Sequence, residues 1–309
     1  MNTAILLATY NGQQFLAEQI DSLLGQTVSD FTIYIHDDGS TDGTAELLEK
    51  LAKKHAGRIV LVDGKPCGSA KENFWYLLSK VEADTYFFCD QDDVWLPKKV
   101  EKSLQKLQSL HGACRCVFTD MRVVDGDLHE IDGSFLHYNG RDPYEQRYPR
   151  ILIDNPAAGT AMCFDRALRD LALSVRFDLS DVEMHDGFLL AMASLCGTTA
   201  YIDEPLVLYR QHGANDMGAA RAETVLQRIQ RNLSDLITGR FVANKKEFLS
   251  LSRNAARELS RLPAAASRDK KILKTYANLE KLPKWKRIRF MKKYGFDRAR
   301  HTWWMYLLS

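Results

Sequence analysis

No run of about 18 apolar residues, the length a membrane-spanning helix needs, occurs anywhere in this chain. The longest uncharged, apolar-leaning stretch, Phe188 to Ile202, is interrupted by Gly and Thr. The opening MNTAILLATYNG lacks the basic n-region of a signal peptide and reads as a first strand. Cysteine is sparse. Cys67, Cys89, Cys114, Cys116, Cys163 and Cys196 are scattered mostly among apolar neighbours, with no CxxC pair and no zinc spacing. That excludes a disulfide scaffold and leads us to expect reduced thiols in a cytoplasmic protein. Internal repeats and low-complexity tracts are also missing.

What is present is enough apolar material for a core. The 309 residues are 45% hydrophobic, sufficient for one large or two modest domains. The net charge of +2 hides a split: residues 221–309 carry 22 Lys and Arg against 7 Asp and Glu, so the tail is basic and the first 220 residues are acidic. Two parts with different partners are expected, with a boundary near Met217.

Strand and helix patterns alternate over the first hundred residues. Short apolar runs at Ala4–Thr9, Phe31–Ile35, Ile59–Val62 and Tyr86–Cys89 predict strands. Helical spacing predicts helices at Phe15–Leu24, Thr44–His55, Lys71–Val81 and Leu96–Leu110. Such alternation argues for a parallel α/β sheet, whose ligands bind beyond the carboxyl ends of the strands. Polar clusters stand at those ends: Tyr10-Asn11, Asp37-Asp38 and Asp90-Gln91-Asp92-Asp93. Further on, Phe118-Thr119-Asp120 ends a strand-like run and Asp125–Pro149 reads as loops. Asp186–Leu195 looks helical, Thr199–Tyr209 contains a strand, and long basic helices follow Gly213.

The acidic clusters admit several chemistries. HDDGSTDGTAELLE, His36 to Glu49, nearly fits a calcium-loop spacing, but a strand precedes it where an EF-hand needs a helix. A Gly-containing turn with Asp or Thr capping the next helix explains Ser40 to Thr44, though not the adjacent Asp37 and Asp38. Asp90-Gln91-Asp92-Asp93-Val94 fits a phosphatase pattern with Asp90 as nucleophile. It also fits carboxylates that share a divalent cation with a ligand's phosphates, and a cap on the next helix, whose start Pro97 suits, accounts for one of the acids, Asp93.

Six segments in order give a resemblance: LLATYNG (Leu6–Gly12), QIDSLLGQT (Gln19–Thr27), DDGSTDGT (Asp37–Thr44), FFCDQDDVWLPKKV (Phe87–Val100), MHDGFLL (Met184–Leu190) and YIDEPLVLYRQHGAN (Tyr201–Asn215). Together they resemble the inverting, GT-A-fold glycosyltransferase family 2, in its rhamnosyltransferase-type branch. The resemblance implies an α/β fold: a GT-A (nucleotide-diphospho-sugar transferase) domain with a Rossmann-like mixed sheet over residues 1–217, followed by a basic α-helical C-terminal region over 218–309. It implies that Ala8, Thr9 and Tyr10 line a nucleotide pocket, with Asp38 on the base and Asp37 nearby. Gly68, Lys71 and Asn73 would border the nucleotide. Asp90 and Gln91 would meet the donor, Asp92 and His212 a Mg2+ or Mn2+ ion, and Arg210 the diphosphate. Asp186 matches the catalytic base. The preceding His185 stands where many members carry Glu, so it is expected to support that base. The QxxRW of processive relatives is absent, which argues for single addition. Asn155 to Thr160, NPAAGT, falls where members carry an acceptor loop, and a tight buried turn is the alternative.

The implied activity is metal-dependent transfer of a sugar, rhamnose from dTDP-rhamnose as first guess, from a nucleotide-sugar donor to a saccharide acceptor, lipid-linked in cell-surface polysaccharide synthesis. An inverting displacement needs one base, so a single carboxylate suffices where a hydrolase needs two. The alternatives are a phosphatase or phosphotransferase using Asp90, or a non-enzymatic basic scaffold. No nucleic-acid recognition motif accompanies the basic face, so nucleic acid is not expected as a partner. In the tail, KWKRIRFMKKY (Lys284–Tyr294) spaces Trp285, Ile288, Met291 and Tyr294 at three, and HTWWMYLL adds more aromatics. A basic, aromatic amphipathic helix suits an anionic membrane surface, giving peripheral attachment at the inner face of the cell membrane. The alternative packs those aromatics onto the catalytic part or onto a second copy in a homo-oligomer.

Overall fold

The computed structural model describes residues 2–212 and 240–298. Among the described residues, nine strands form one sheet: β1 (Thr3–Thr9), β2 (Thr32–Asp37), β3 (Ile59–Leu61), β4 (Thr85–Cys89), β5 (Val94–Trp95), β6 (Arg115–Val124), β7 (Glu130–Asp132), β8 (Met162–Asp165) and β9 (Thr198–Arg210). Their order is β3-β2-β1-β4-β8-β6-β9-β5, with β7 on β6. The first four strands pair in parallel, as their alternation with helices predicts. The purely parallel sheet ends there. β8 runs antiparallel to both β4 and β6, so the sheet is mixed, as in the GT-A fold.

Every side chain of β1 and β4 is buried, because both strands are covered on two faces and carry continuous apolar runs. The two-residue period of a strand then divides them. Leu6 and Phe88 join one apolar cluster, while Ile5, Leu7, Phe87 and Cys89 join the other. The second cluster receives Leu16, Ile20 and Leu23 of α1 (Leu16–Leu24), Leu48 and Leu51 of α2 (Thr44–Lys54), and Val100 and Leu107 of α4 (Lys99–Ser109). The first receives α3 (Ala70–Lys80), α7 (Arg166–Leu173) and α8 (His185–Cys196).

The C-terminal helices α9 (Arg240–Leu259), α10 (Ser267–Ala277) and α11 (Lys284–Tyr294) share that first core. Leu249, Ala256, Leu259, Leu273, Met291 and Phe296 lie in one cluster with Phe74 and Phe88. The Tyr276 and Phe296 rings stack at 3.9 Å. Arg150 pairs with Asp297 at 2.7 Å and Arg298 with Asp154 at 2.9 Å. The expected boundary at 217/218 and the HTWWMYLL segment lie outside the described residues. No helix among the described residues is long and apolar enough to cross a membrane.

Two expectations fail for local reasons. Residues 125–149, expected as loops, contain β7 and the short α5 (Phe135–Asn139), and α6 (Tyr148–Ile151) begins there. Elements of three to five residues are too short to show a period. β6 runs past Asp120, the expected strand end, to Val124. Asp120 is tolerated inside it because Ser134 Oγ and the amides of Met121 and Leu136 donate to its carboxylate.

Candidate active site

β2 and β4 flank β1 on opposite sides, so strand order reverses at β1, where an α/β sheet opens a crevice at its carboxyl edge. The loops leaving these strands are tied together. Gln91 Oε1 accepts from Thr9 Oγ1 at 2.6 Å and from the Tyr10 amide at 2.9 Å, and Gln91 Nε2 donates to the Tyr10 carbonyl at 3.0 Å. The Asp38 amide donates to the Thr9 carbonyl at 2.8 Å. A cleft of about 910 Å³ opens there, and Ala8, Thr9, Tyr10, Asp38, Gly68, Asn73, Asp90, Gln91, Asp92 and Asp186 all line it. Ten of the fourteen residues expected at a site therefore share one cavity.

The other four are placed differently. Asp37 turns to its own loop, accepting from the Ser40 amide at 3.0 Å and from Ser40 Oγ. With Asp42 holding the Thr44 and Gln13 amides, DDGSTDGT is a turn that starts α2 and not a calcium loop. Lys71 donates to the Val182 carbonyl at 2.7 Å and fastens α3 to the segment before α8. Arg210 is buried behind the acidic loop, not facing the cleft. Its Nε donates to the Asp92 carbonyl at 2.8 Å, its fork reaches the Gly126 carbonyl and Glu18, and its amide donates to Asp93 Oδ1. His212 stands at the edge of the same loop, with Nε2 at 2.8 Å from Asp92 Oδ2 and its ring against Phe15.

Asp93 does not cap α4, which begins at Lys99 after Lys98. It is 1% exposed, and its Oδ2 has no hydrogen-bond partner. Burial, then Asp92 and Asp90, push its carboxyl well above the usual range. Asp93 is therefore favoured in its neutral form, and Asp90 and Asp92 are the carboxylates that face the cleft. A six-coordinate Mg2+ or Mn2+ about 2.1 Å from each donor needs neighbouring donors about 3 Å apart. Asp92 Oδ2 and His212 Nε2 meet that spacing, so these two side chains would hold such an ion. Carboxylate oxygen with imidazole suits Mn2+ and, with the donor's phosphates, Mg2+.

Asp186 sits at the second position of α8, and Met184, not Asp186, caps the helix. Its Oδ2 accepts from the Gly159 amide at 3.0 Å, and its Oδ1 accepts from Asn155 Nδ2 at 3.2 Å and from the Gly187 amide. NPAAGT is therefore both a tight turn and a wall of the cleft. Burial raises the Asp186 carboxyl to about 6, while the Gly187 amide and Arg141 act to lower it. Gly159 has no room for a larger residue, since a Cβ there meets His185 Nε2 at 2.9 Å.

His185 supports that wall by packing, not by hydrogen bonding. Its ring stacks on Phe74 at 4.4 Å and meets Phe88 edge-on at 4.8 Å, and neither nitrogen has a partner. Burial lowers it to about 3, so it is neutral. The motifs missed the far half of the cleft, where Arg141, Glu183, Lys245, Phe248 and Arg298 line the wall. Arg141 comes from a stretch read as loop. Lys245 and Arg298 come from a tail so uniformly basic that no single cation stands out.

Known proteins match this architecture. Residues 4–171 fit the family model described as Glycosyl transferase family 2. The chain is 28% identical over 224 residues to the dTDP-rhamnosyl transferase RfbG of Shigella flexneri, covering 69% of this chain and 74% of that protein. It is 26% identical over 253 residues to an uncharacterized glycosyltransferase of Nostoc sp., covering 78% and 74%. Among solved structures, TarS 1-349 of S. aureus in complex with UDP-GlcNAc resembles the fold with a TM-score of 0.57 at 16% identity, over 90% of this chain and 72% of that one.

Proposed function

The chain belongs to glycosyl transferase family 2, and we propose that it transfers one sugar, with inversion, from a nucleotide-sugar donor to a lipid-linked saccharide, with Asp186 as the base. Family membership sets aside the phosphatase reading of Asp90 and the non-enzymatic scaffold. One observation carries the proposal: a single buried carboxylate, raised to about 6 and fixed by the Gly159 amide and Asn155, lines the same cleft as Asp90 and Asp92. Asp186 takes the proton of the acceptor hydroxyl as its oxygen bonds to the anomeric carbon. The bond from that carbon to the donor phosphate breaks, and the nucleoside diphosphate departs with the electron pair. Asp92 and His212 would hold a Mg2+ or Mn2+ ion, which would supply charge compensation for the departing diphosphate. Tyr10, 54% exposed at the cleft mouth, offers a ring to the nucleoside.

Similarity to RfbG favours dTDP-rhamnose as donor. A thermal-shift screen of nucleoside diphosphates and nucleotide sugars tests this: dTDP-rhamnose with Mn2+ is expected to raise the melting temperature most. Equal shifts with and without Mn2+ contradict the metal assignment. The pH profile is a second test. The base must be ionised, so kcat/KM is expected to fall tenfold per pH unit below about 6 and to level off above it. An acid limb near the ordinary carboxylate range rules out Asp186 as that base.

The basic far half of the cleft, with Arg141, Lys245 and Arg298, suits the phosphates of a lipid carrier. Trp285, 62% exposed between Lys284 and Lys286 on α11, suits a membrane surface carrying that lipid. Trp285→Ala is expected to lower co-sedimentation with anionic vesicles several-fold at low salt. Unchanged sedimentation contradicts peripheral binding through α11.

A further inference from the structure

A second group of metal-ligand side chains lies beside the cleft, where Asp38 lines it, apart from Asp92 and His212. His36, at the end of β2, Asp38 just beyond it, and Cys67 in the following loop bring a ring nitrogen, a carboxylate oxygen and a thiol within 4.8 Å of one another. The His36 ring is 1% exposed and its tautomer is set. Asn73 Nδ2 donates to the His36 carbonyl at 3.2 Å, which leaves Asn73 Oδ1 to accept from His36 Nδ1 at 2.9 Å. Nε2 is then a bare lone pair, buried and without a partner. An orphaned buried acceptor costs free energy unless something binds it. A ring whose far N–H is held by a side-chain carbonyl is also how proteins orient an imidazole toward a metal.

The other two donors suit the same ion. Asp38 is held in place by the amides of Cys67 and Gly68, the latter at 3.0 Å to Oδ2, and a carboxylate accepting two amides keeps lone pairs to spare. Cys67 is half-buried on the loop just before Gly68, with its Sγ 3.7 Å from the Lys65 carbonyl. Tetrahedral Zn2+, about 2.3 Å from sulfur and about 2.0–2.2 Å from nitrogen and oxygen, sets donors about 3.3–3.8 Å apart. The three donor atoms, within 4.8 Å of one another, reach that with a closure of about 1 Å.

We propose that His36, Asp38 and Cys67 form a site for a thiophilic divalent cation such as Zn2+, and that its occupation competes with the nucleotide donor for Asp38. Imidazole with thiolate selects Zn2+ over Mg2+. Coordination displaces the Cys67 proton to solvent. The competition rests on Asp38 serving the donor; the cation site does not.

Metal-free full-length protein titrated with Co2+ tests the site. A thiolate-to-cobalt charge-transfer band in the near ultraviolet should grow to one equivalent. It should vanish in Cys67→Ser, a substitution near the surface that the fold tolerates, and His36→Gln should weaken Co2+ binding at least about tenfold. No band, or a band that survives Cys67→Ser, overturns the site. With Mn2+ in excess, Zn2+ should raise the donor KM about tenfold at constant kcat in the parent chain and not in Cys67→Ser. A band without that competition overturns the shared use of Asp38, while the spectrum still supports the cation site.

Discussion

Asp186→Asn is expected to lower kcat by roughly 10²–10⁴ while leaving the fold intact. The amide keeps the shape of the carboxylate and cannot accept the acceptor's proton. Stability is the informative half. At neutral pH the buried carboxylate is ionised against its burial, a cost of about 3 kcal/mol for a shift from 3.8 to about 6. Asn removes that cost but turns one NH2 hydrogen toward the donors now facing Oδ1 or Oδ2, a loss of about 1–3 kcal/mol. The two nearly cancel. The sign of the pH dependence follows from the raised value: the folded parent chain binds the proton more tightly than the unfolded chain. Its stability relative to the variant should therefore rise as pH falls from about 6 toward 4. Calorimetry of both proteins across that range checks this. Activity lost together with the melting temperature would mean that Asp186 holds structure and not chemistry.

Arg210→Ala has the largest expected effect on stability, about 3–5 kcal/mol. The guanidinium side chain is 3% exposed, its Nε and fork donate to two backbone carbonyls and Glu18, and its carbon centre lies 4.5 Å from the Phe15 ring. Its removal leaves the carbonyls of Asp92 and Gly126 without a donor and frees the loop that carries Asp90 and Asp92. Denaturant unfolding should show the full loss. A residue that gripped the donor's diphosphate would behave otherwise, raising donor KM and sparing stability, so the pair of measurements separates the roles.

These two residues also mark what the sequence discloses. Asp186, Asp90, Asp92 and Asp38 were legible because each ends a strand or opens a helix inside a short recognisable segment, and parallel α/β topology sends such ends to one edge. Arg210 stood in an equally recognisable segment, yet its direction was not legible. Whether an arginine at a strand end points to the cleft or under it depends on Glu18 and Gly126, which are distant in sequence. The central strands were legible because continuous apolar runs bury both faces. The antiparallel β8 was not, since Met162–Asp165 is four residues long and looks the same in either direction. The C-terminal helices announced their charge but not their packing. Leu249, Tyr276 and Phe296 join the core beside α8, so a tail read as a separate basic region contributes a wall of the cleft.

The anomeric configuration of the product tests the central claim most directly. With the donor chosen by thermal shift and a saccharide acceptor, NMR of the product reads the anomeric configuration from the one-bond C1–H1 coupling, and the glycosidic bond preserves that configuration. One base at Asp186 and direct displacement predict a configuration opposite to that of the donor. A product that retains the donor's configuration would require a second group on the sugar and would contradict the account.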